Sequence, residues 1–258
     1  VIQRAARTLP ALAGLAAASL ALGGCLGVET TPEKSAKKAK LAAKRVADQK
    51  GVTVTKANAS IKVEAADVVQ DPNGVAAIVR IKNTGSTQAR LPVGITVTDA
   101  KGKKLYANDI PGLDPSLTSV PVLRAGQEAY WVNNQILVSG KAAKVQAVVG
   151  AAKGKAAGAL PKITLRGIAH GKDADGFYAK GTISNDSDIP QKRIVVTCVA
   201  RDGKKVLAAG RAVIDRLMPA AGLKKPTTFT VFFIGDPKQS KLDCSAPPTV
   251  LSEGGGTK

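Results

Sequence analysis

The chain has 258 residues, with 38 Lys and Arg against 19 Asp and Glu, a formal charge of +19, and only 3% aromatic side chains. That length exceeds an ordinary single domain, and packed cores must be built from Val, Ile, Leu and Ala. The charge suits an anionic surface or polymer, but no aromatics interleave with the basic residues for base stacking, so a nucleic-acid partner is not expected.

The first element is a leader. Arg4 and Arg7 precede an uncharged apolar stretch from Leu9 to Leu22, which is shorter than the roughly 20 residues a membrane-spanning helix needs. It ends in Leu22-Gly23-Gly24-Cys25. An aliphatic residue, two small residues and a cysteine, after a basic start and an apolar core, resemble the signal peptide and lipobox of bacterial lipoproteins. That resemblance implies cleavage before Cys25 and a covalent diacylglycerol and acyl lipid on it, with residues 1–24 removed. More than one chain is needed for stable anchoring. The protein is then exported and held on the outer face of the cell membrane, or on the periplasmic side of an envelope membrane. Without Arg4 and Arg7 the balance is 36 basic to 19 acidic side chains, or +17.

Residues 25–59 read as a tether. Lys34, Lys37, Lys38, Lys40, Lys44, Arg45 and Lys50 fall within seventeen positions. Ala and Lys favour helix, but Leu41 and Val46 are too few to bury a face. The segment is either a solvated spacer or one drawn to anionic lipid headgroups.

The remainder repeats itself. Ile61-Lys62-Val63 returns as Ile163-Thr164-Leu165, Asp71-Pro72-Asn73-Gly74 as Asp173-Ala174-Asp175-Gly176, and Ile81-Lys82-Asn83 as Ile183-Ser184-Asn185, each 102 residues on. After the loss of one residue, Gly102-Lys103-Lys104-Leu105 returns as Gly203-Lys204-Lys205-Val206. Such self-similarity marks one structural unit used twice. Within each unit, short β-branched runs alternate with turn residues, which predicts strands. Ile95 and Val97 alternate with Thr96 and Thr98 as one buried strand face requires. Asn73-Gly74 is expected to make the first tight turn through positive φ. About seven strands per ~90–100 residues indicate an antiparallel sandwich of the immunoglobulin-like kind. The expected fold is therefore all-β: two tandem sandwiches over residues 60–150 and 161–248. A flexible small-residue linker over 151–160 joins them, and 249–258 form a disordered tail.

Both units resemble the FxLYD-type immunoglobulin-like domains of bacterial envelope lipoproteins. The second matches through Asn185, Ile194 to Val199, Asp202-Gly203-Lys204 and Leu217. The first matches through Asn83, Ile95 to Val97, Gly102-Lys103, Leu123 and Gly126. Leu105-Tyr106 echoes part of the name-giving motif. The resemblance implies a sandwich in an envelope setting and carries no catalytic residues.

Three cysteines occur. With Cys25 assigned to the lipid, Cys198 and Cys244 remain, 46 residues apart. Export makes a disulfide between them the expected state, and two buried thiols the alternative. His170, the single histidine, has no nucleophile or orienting partner in sequence and reads as a strand-face residue. No zinc spacing, phosphate-binding glycine loop, G-x-S-x-G elbow or H-E-x-x-H occurs. No cofactor or metal is expected, and an envelope enzyme is the disfavoured alternative. Asp173, Asp175, Asp186 and Asp188 raise calcium as an idea, but their spacing reads as turn chemistry. Lys103, Lys104, Lys204 and Lys205 sit on repeated hairpin tips. With Lys153, Lys155, Lys224 and Lys225 they are candidates for binding an anionic envelope polymer such as teichoic acid, or lipid headgroups. The function expected is a non-enzymatic binding or scaffolding module for an envelope protein, with electrostatic polyanion binding as the alternative.

Overall fold

The computed structural model describes residues 51–251 except 157, 224 and 225. The leader, the lipobox and most of the tether lie outside the described residues.

The first repeat begins with β1 (Ile61–Asp71) and β2 (Gly74–Asn83), paired antiparallel so that Asp71 stands opposite Gly74. The turn between them is centred on Pro72 and Asn73, not on Asn73-Gly74 as expected. Asp71 Oδ1 accepts from Asn73 N–H at 2.7 Å, and Gly74 alone takes positive φ, at 144°. Asp, Pro and Gly at the first, second and fourth places suit a type I turn, which needs no positive φ at its centre. The second repeat builds the same turn: Asp173 Oδ1 accepts from Asp175 N–H at 2.9 Å, and Gly176 has φ 126°.

β6 (Glu128–Ile136) pairs with the other side of β2 to complete one sheet. The facing sheet is built on β3 (Gln88–Thr98). Along one side of β3 run β4 (Lys104–Ala107) and β5 (Ser119–Leu123), and along the other β7 (Lys144–Val149) and β8 (Gly154–Lys155). β8 lies in the stretch expected to be a flexible linker. Two of that linker's ten residues are thus taken up as a strand, because small residues let the chain turn back along Gln88 and Ala89. The first core lies between these sheets and holds Val79, Ile81, Leu91, Val93, Val97 and Trp131.

The second repeat pairs β9 (Ile163–Asp173), β10 (Gly176–Asn185) and β13 (Thr227–Phe232) in one sheet. Its other sheet runs β14 (Ile234–Gly235), β12 (Lys205–Leu217), β11 (Gln191–Asp202), β15 (Lys241–Ser245). Ala179, Ile183, Ile194, Val196, Leu217 and Phe229 form its core. β12 approaches β13 so closely that a Cβ on Gly210 would lie 2.0 Å from the Phe232 carbonyl oxygen. Only glycine fits there.

The copies differ most at one place. β12 runs unbroken along β11, whereas its counterpart is split into β4 and β5. In the gap, the Asn108 side chain does the work of a strand. Its Oδ1 accepts from Ile95 N–H at 2.8 Å, and its Nδ2 donates to the Val93 and Leu117 carbonyls at 2.8 and 2.9 Å. A buried primary amide carries the same donor and acceptor as a peptide group, so the ladder stays satisfied while the backbone leaves it. The excursion carries a short 3-10 turn, Pro115–Leu117, capped by Asp114.

A third core binds the repeats to each other. β2 and β11 are buried on both faces: one face of each enters its own sandwich, and the other gives Ala76, Ile78 and Val199 to a cluster with Val132, Ala209 and Ile234. Alternation along a strand makes this possible whenever both faces are apolar. The repeats belong to one compact unit.

Candidate binding cleft between the repeats

The disulfide joins Cys198 and Cys244. These residues stand directly opposite each other on neighbouring strands β11 and β15, with Cα atoms 4.1 Å apart. The bond lies within one sheet, not across the sandwich. The corresponding pair in the first repeat is Ile95 and Ala147, opposed on β3 and β7. Cys198 is fully buried, while Cys244 forms part of the wall of a cleft.

That cleft, about 430 Å³ in volume, lies where the repeats meet. From the first repeat, Ser119, Val120, Pro121 and Val122 of β5, with Tyr130, Trp131 and Val132 of β6, form one wall. From the second, Ile163, Thr164, Leu165 and Ile168 of β9, Val195 and Thr197 of β11, and Ser245 to Pro248 form the other. β5, β6, β9 and β15 each pair with a single neighbouring strand. Among the described residues the only charged one lining the cleft is Arg124, exposed just past the end of β5, and no Asp or Glu lines it.

Ser116, on the excursion between β4 and β5, lines the cleft and gathers the polar contacts beneath it. Its carbonyl accepts from Trp131 Nε1 at 3.1 Å, and its hydroxyl accepts from Arg211 Nη2 at 2.7 Å. The Ser116 hydroxyl and backbone N–H both donate to Asp114, whose other oxygen pairs with Arg193. Burial works against the charge on Asp114. The Ser116 hydrogen bonds and the Arg193 and Arg211 charges outweigh it, holding the carboxyl below its ordinary pKa. Burial pushes Arg211 down, against the attraction of Asp114. Arg193 reaches this cluster from a left-handed backbone position, φ 50°, matched in the first repeat by Arg90 at φ 54°.

The residues singled out from sequence are dispersed. Leu22, Gly23, Gly24 and Cys25 lie outside the described residues. Lys103 and Lys104 occupy the β3–β4 hairpin, Lys204 and Lys205 the β11–β12 hairpin, and all four are exposed. No hydrogen bond or ion pair joins the two tips among the described residues; Lys104 pairs locally with Asp109 at 3.5 Å. Lys153 is exposed beside β8, and Lys224 and Lys225 lie outside the described residues. His170 sits on β9 opposite Ala179. Asp173 and Asp175 make one turn of β10, while Asp186 at its far end accepts from Thr164 and Ser184. Among the described residues no three His, Cys, Asp or Glu side chains come together as metal ligands.

The strand-ending asparagines are structural. Asn83 and Asn185 are fully buried. Asn83 donates to the Ser86, Leu123 and Arg124 carbonyls, and Asn185 to that of Ile189, each fastening the loop that follows.

Asp114, Ser116 and Arg211 are not legible in the sequence because the first two lie where the copies diverge and the third is a charge buried between the repeats, while Arg193 differs from its counterpart Arg90 only in the partner it meets. One signal was present: the apolar run at 75–79, and that at 194–200 interrupted only by Thr197, mark strands covered on both faces. No protein-family model matches the chain, and no curated protein matches it.

Proposed function

We propose that the protein is an exported lipoprotein, anchored through lipidated Cys25 to the outer face of its membrane, that binds another envelope component in the cleft between its two immunoglobulin-like repeats. The observation that carries the binding reading is the cleft itself. Its walls include edge strands from both repeats, and it is lined by hydroxyls, prolines and aliphatic side chains, a surface suited to recognition and not to acid–base chemistry. The anchoring reading rests on the Leu22-Gly23-Gly24-Cys25 box and the basic, apolar leader before it. Such a module needs no cofactor beyond the lipid.

Both parts are testable in intact cells. Labelled palmitate is expected to enter the wild-type protein and not the Cys25→Ala variant; label retained after that substitution refutes the anchor. A photo-crosslinking residue at Val122 is expected to capture a discrete partner, and the same residue at Lys204, on a hairpin tip, is not.

Electrostatic capture of a polyanion is the second reading. It is favoured by the exposure of Lys103, Lys104, Lys204 and Lys205 on two tips. Such binding should weaken steeply with salt and disappear when these four are changed to Glu. Binding indifferent to both removes it.

A further inference from the structure

Arg211 presents an imbalance beneath the cleft. Its side chain belongs to a residue only 8% exposed, and of its three nitrogens only Nη2 has a partner; Nε and Nη1 are buried and make no hydrogen bond. A guanidinium keeps its charge in proteins and offers five donors. Leaving such donors unpaired away from water is costly, so they call for an acceptor. The charge around them is also one-sided. Asp114 is shared between Arg193 and Arg211, and Asp215, the second partner of Arg193, is 87% exposed at its side chain. Arg211 does not itself line the cleft but lies directly behind two residues that do: Ser116, whose hydroxyl it touches, and Thr197, which stands opposite it in the β11–β12 register. Arg124 also lines the cleft, with no acidic side chain in the lining among the described residues.

The geometry points to an extended acidic peptide segment as the occupant of this cleft, with one of its carboxylates drawn to the Arg211–Ser116 end and another to Arg124. This rests on the reading of the cleft as the binding site and names its ligand class. Two features select a peptide over a phosphate or sugar polymer. Among the described residues β5, β6, β9 and β15 each have one edge without a partner strand, which can hydrogen-bond a further extended backbone. The lining also mixes aliphatic side chains with the hydroxyls of Ser119, Thr164 and Thr197, which suits a segment with both apolar and polar groups. Pro121 removes one donor from β5, so pairing falls to the other edges.

The test uses the full chain and an octapeptide of alternating Glu and Val with blocked ends, against its Gln–Val counterpart. The single tryptophan, Trp131, lines the cleft and reports occupancy by fluorescence. The Glu–Val peptide is expected to give a saturable change and to bind at least ten-fold more tightly than the Gln–Val peptide. Arg211→Gln and Arg124→Gln are each expected to weaken it about ten-fold; Arg124 is exposed, so the second variant stays informative if the first unfolds. Equal binding of the two peptides, affinity unmoved by Arg124→Gln, or no change at millimolar peptide overturns the inference. So does competition by linear polyphosphate as effective as by the acidic peptide, which transfers the site to polyanions. If Val122 crosslinks in cells persist while the peptide fails to bind, the cleft keeps its role and only the ligand class falls.

Discussion

Asp114 balances two guanidinium groups from the other repeat, and its removal leaves both short of a counter-charge. Asp114→Asn is expected to lower stability by about 2 kcal/mol, between the loss of one charged hydrogen bond and that of a fully buried pair. Its pKa is lowered on folding, so the stabilisation is complete above roughly pH 4 and fades as pH falls through the lowered value. Acid titration followed by Trp131 fluorescence should show this loss in the wild type and a flatter response in Asp114→Asn. Asn108 invites a second measurement. Asn108→Ala strands the Val93 and Leu117 carbonyls and the Ile95 N–H, and should cost about 2–3 kcal/mol in denaturant unfolding. Neither role was visible in the chain, because Asp114 and Asn108 lie in the segment without a counterpart in the second copy. Asn83 and Asn185 were legible as a repeated strand ending, though not as buried amides that fasten a loop.

Among the elements, strand identity was the most readable property. Alternation in β3 marked its buried face, with Ile95 and Val97 inside. The repeat spacing carried the pattern to β9, β10, β11 and β12. β5 and β8 were missed because Ser119–Leu123 contains a proline and Gly154–Lys155 is two residues of a small-residue stretch. Their pairing is decided by β3, not by local propensity. The cysteine pair was legible as a disulfide, but its placement between neighbouring strands required the register. Closing a loop of 46 residues, this bond should contribute about 4 kcal/mol in the chain-entropy model. A Cys198→Ser, Cys244→Ser variant is expected to unfold at lower denaturant by that margin, and reductant should lower the wild type to match.

For the molecule as a whole, the shared core of Ile78, Val132, Val199, Ala209 and Ile234 makes the repeats one folding partner for each other. The wild type should melt in a single calorimetric transition. Val199→Asp places an unpaired charge in that core and should split the melt in two while leaving both sandwiches formed. The two-copy plan was readable from the 102-residue offset. The fusion of the copies was not, since apolar runs at 75–79 and 194–200 do not say which surface covers their second face.

The split of one strand into β4 and β5 makes the contact between the two copies asymmetric. The loop it frees carries Asp114 and Ser116 to Arg193 and Arg211, so the first repeat supplies an accepting loop and the second the arginines that donate to it. In the second repeat the equivalent strand is continuous and frees no such loop. The grip is therefore directional: the first repeat holds the second through a loop that the second does not repeat, unlike a solenoid in which every interface is equivalent.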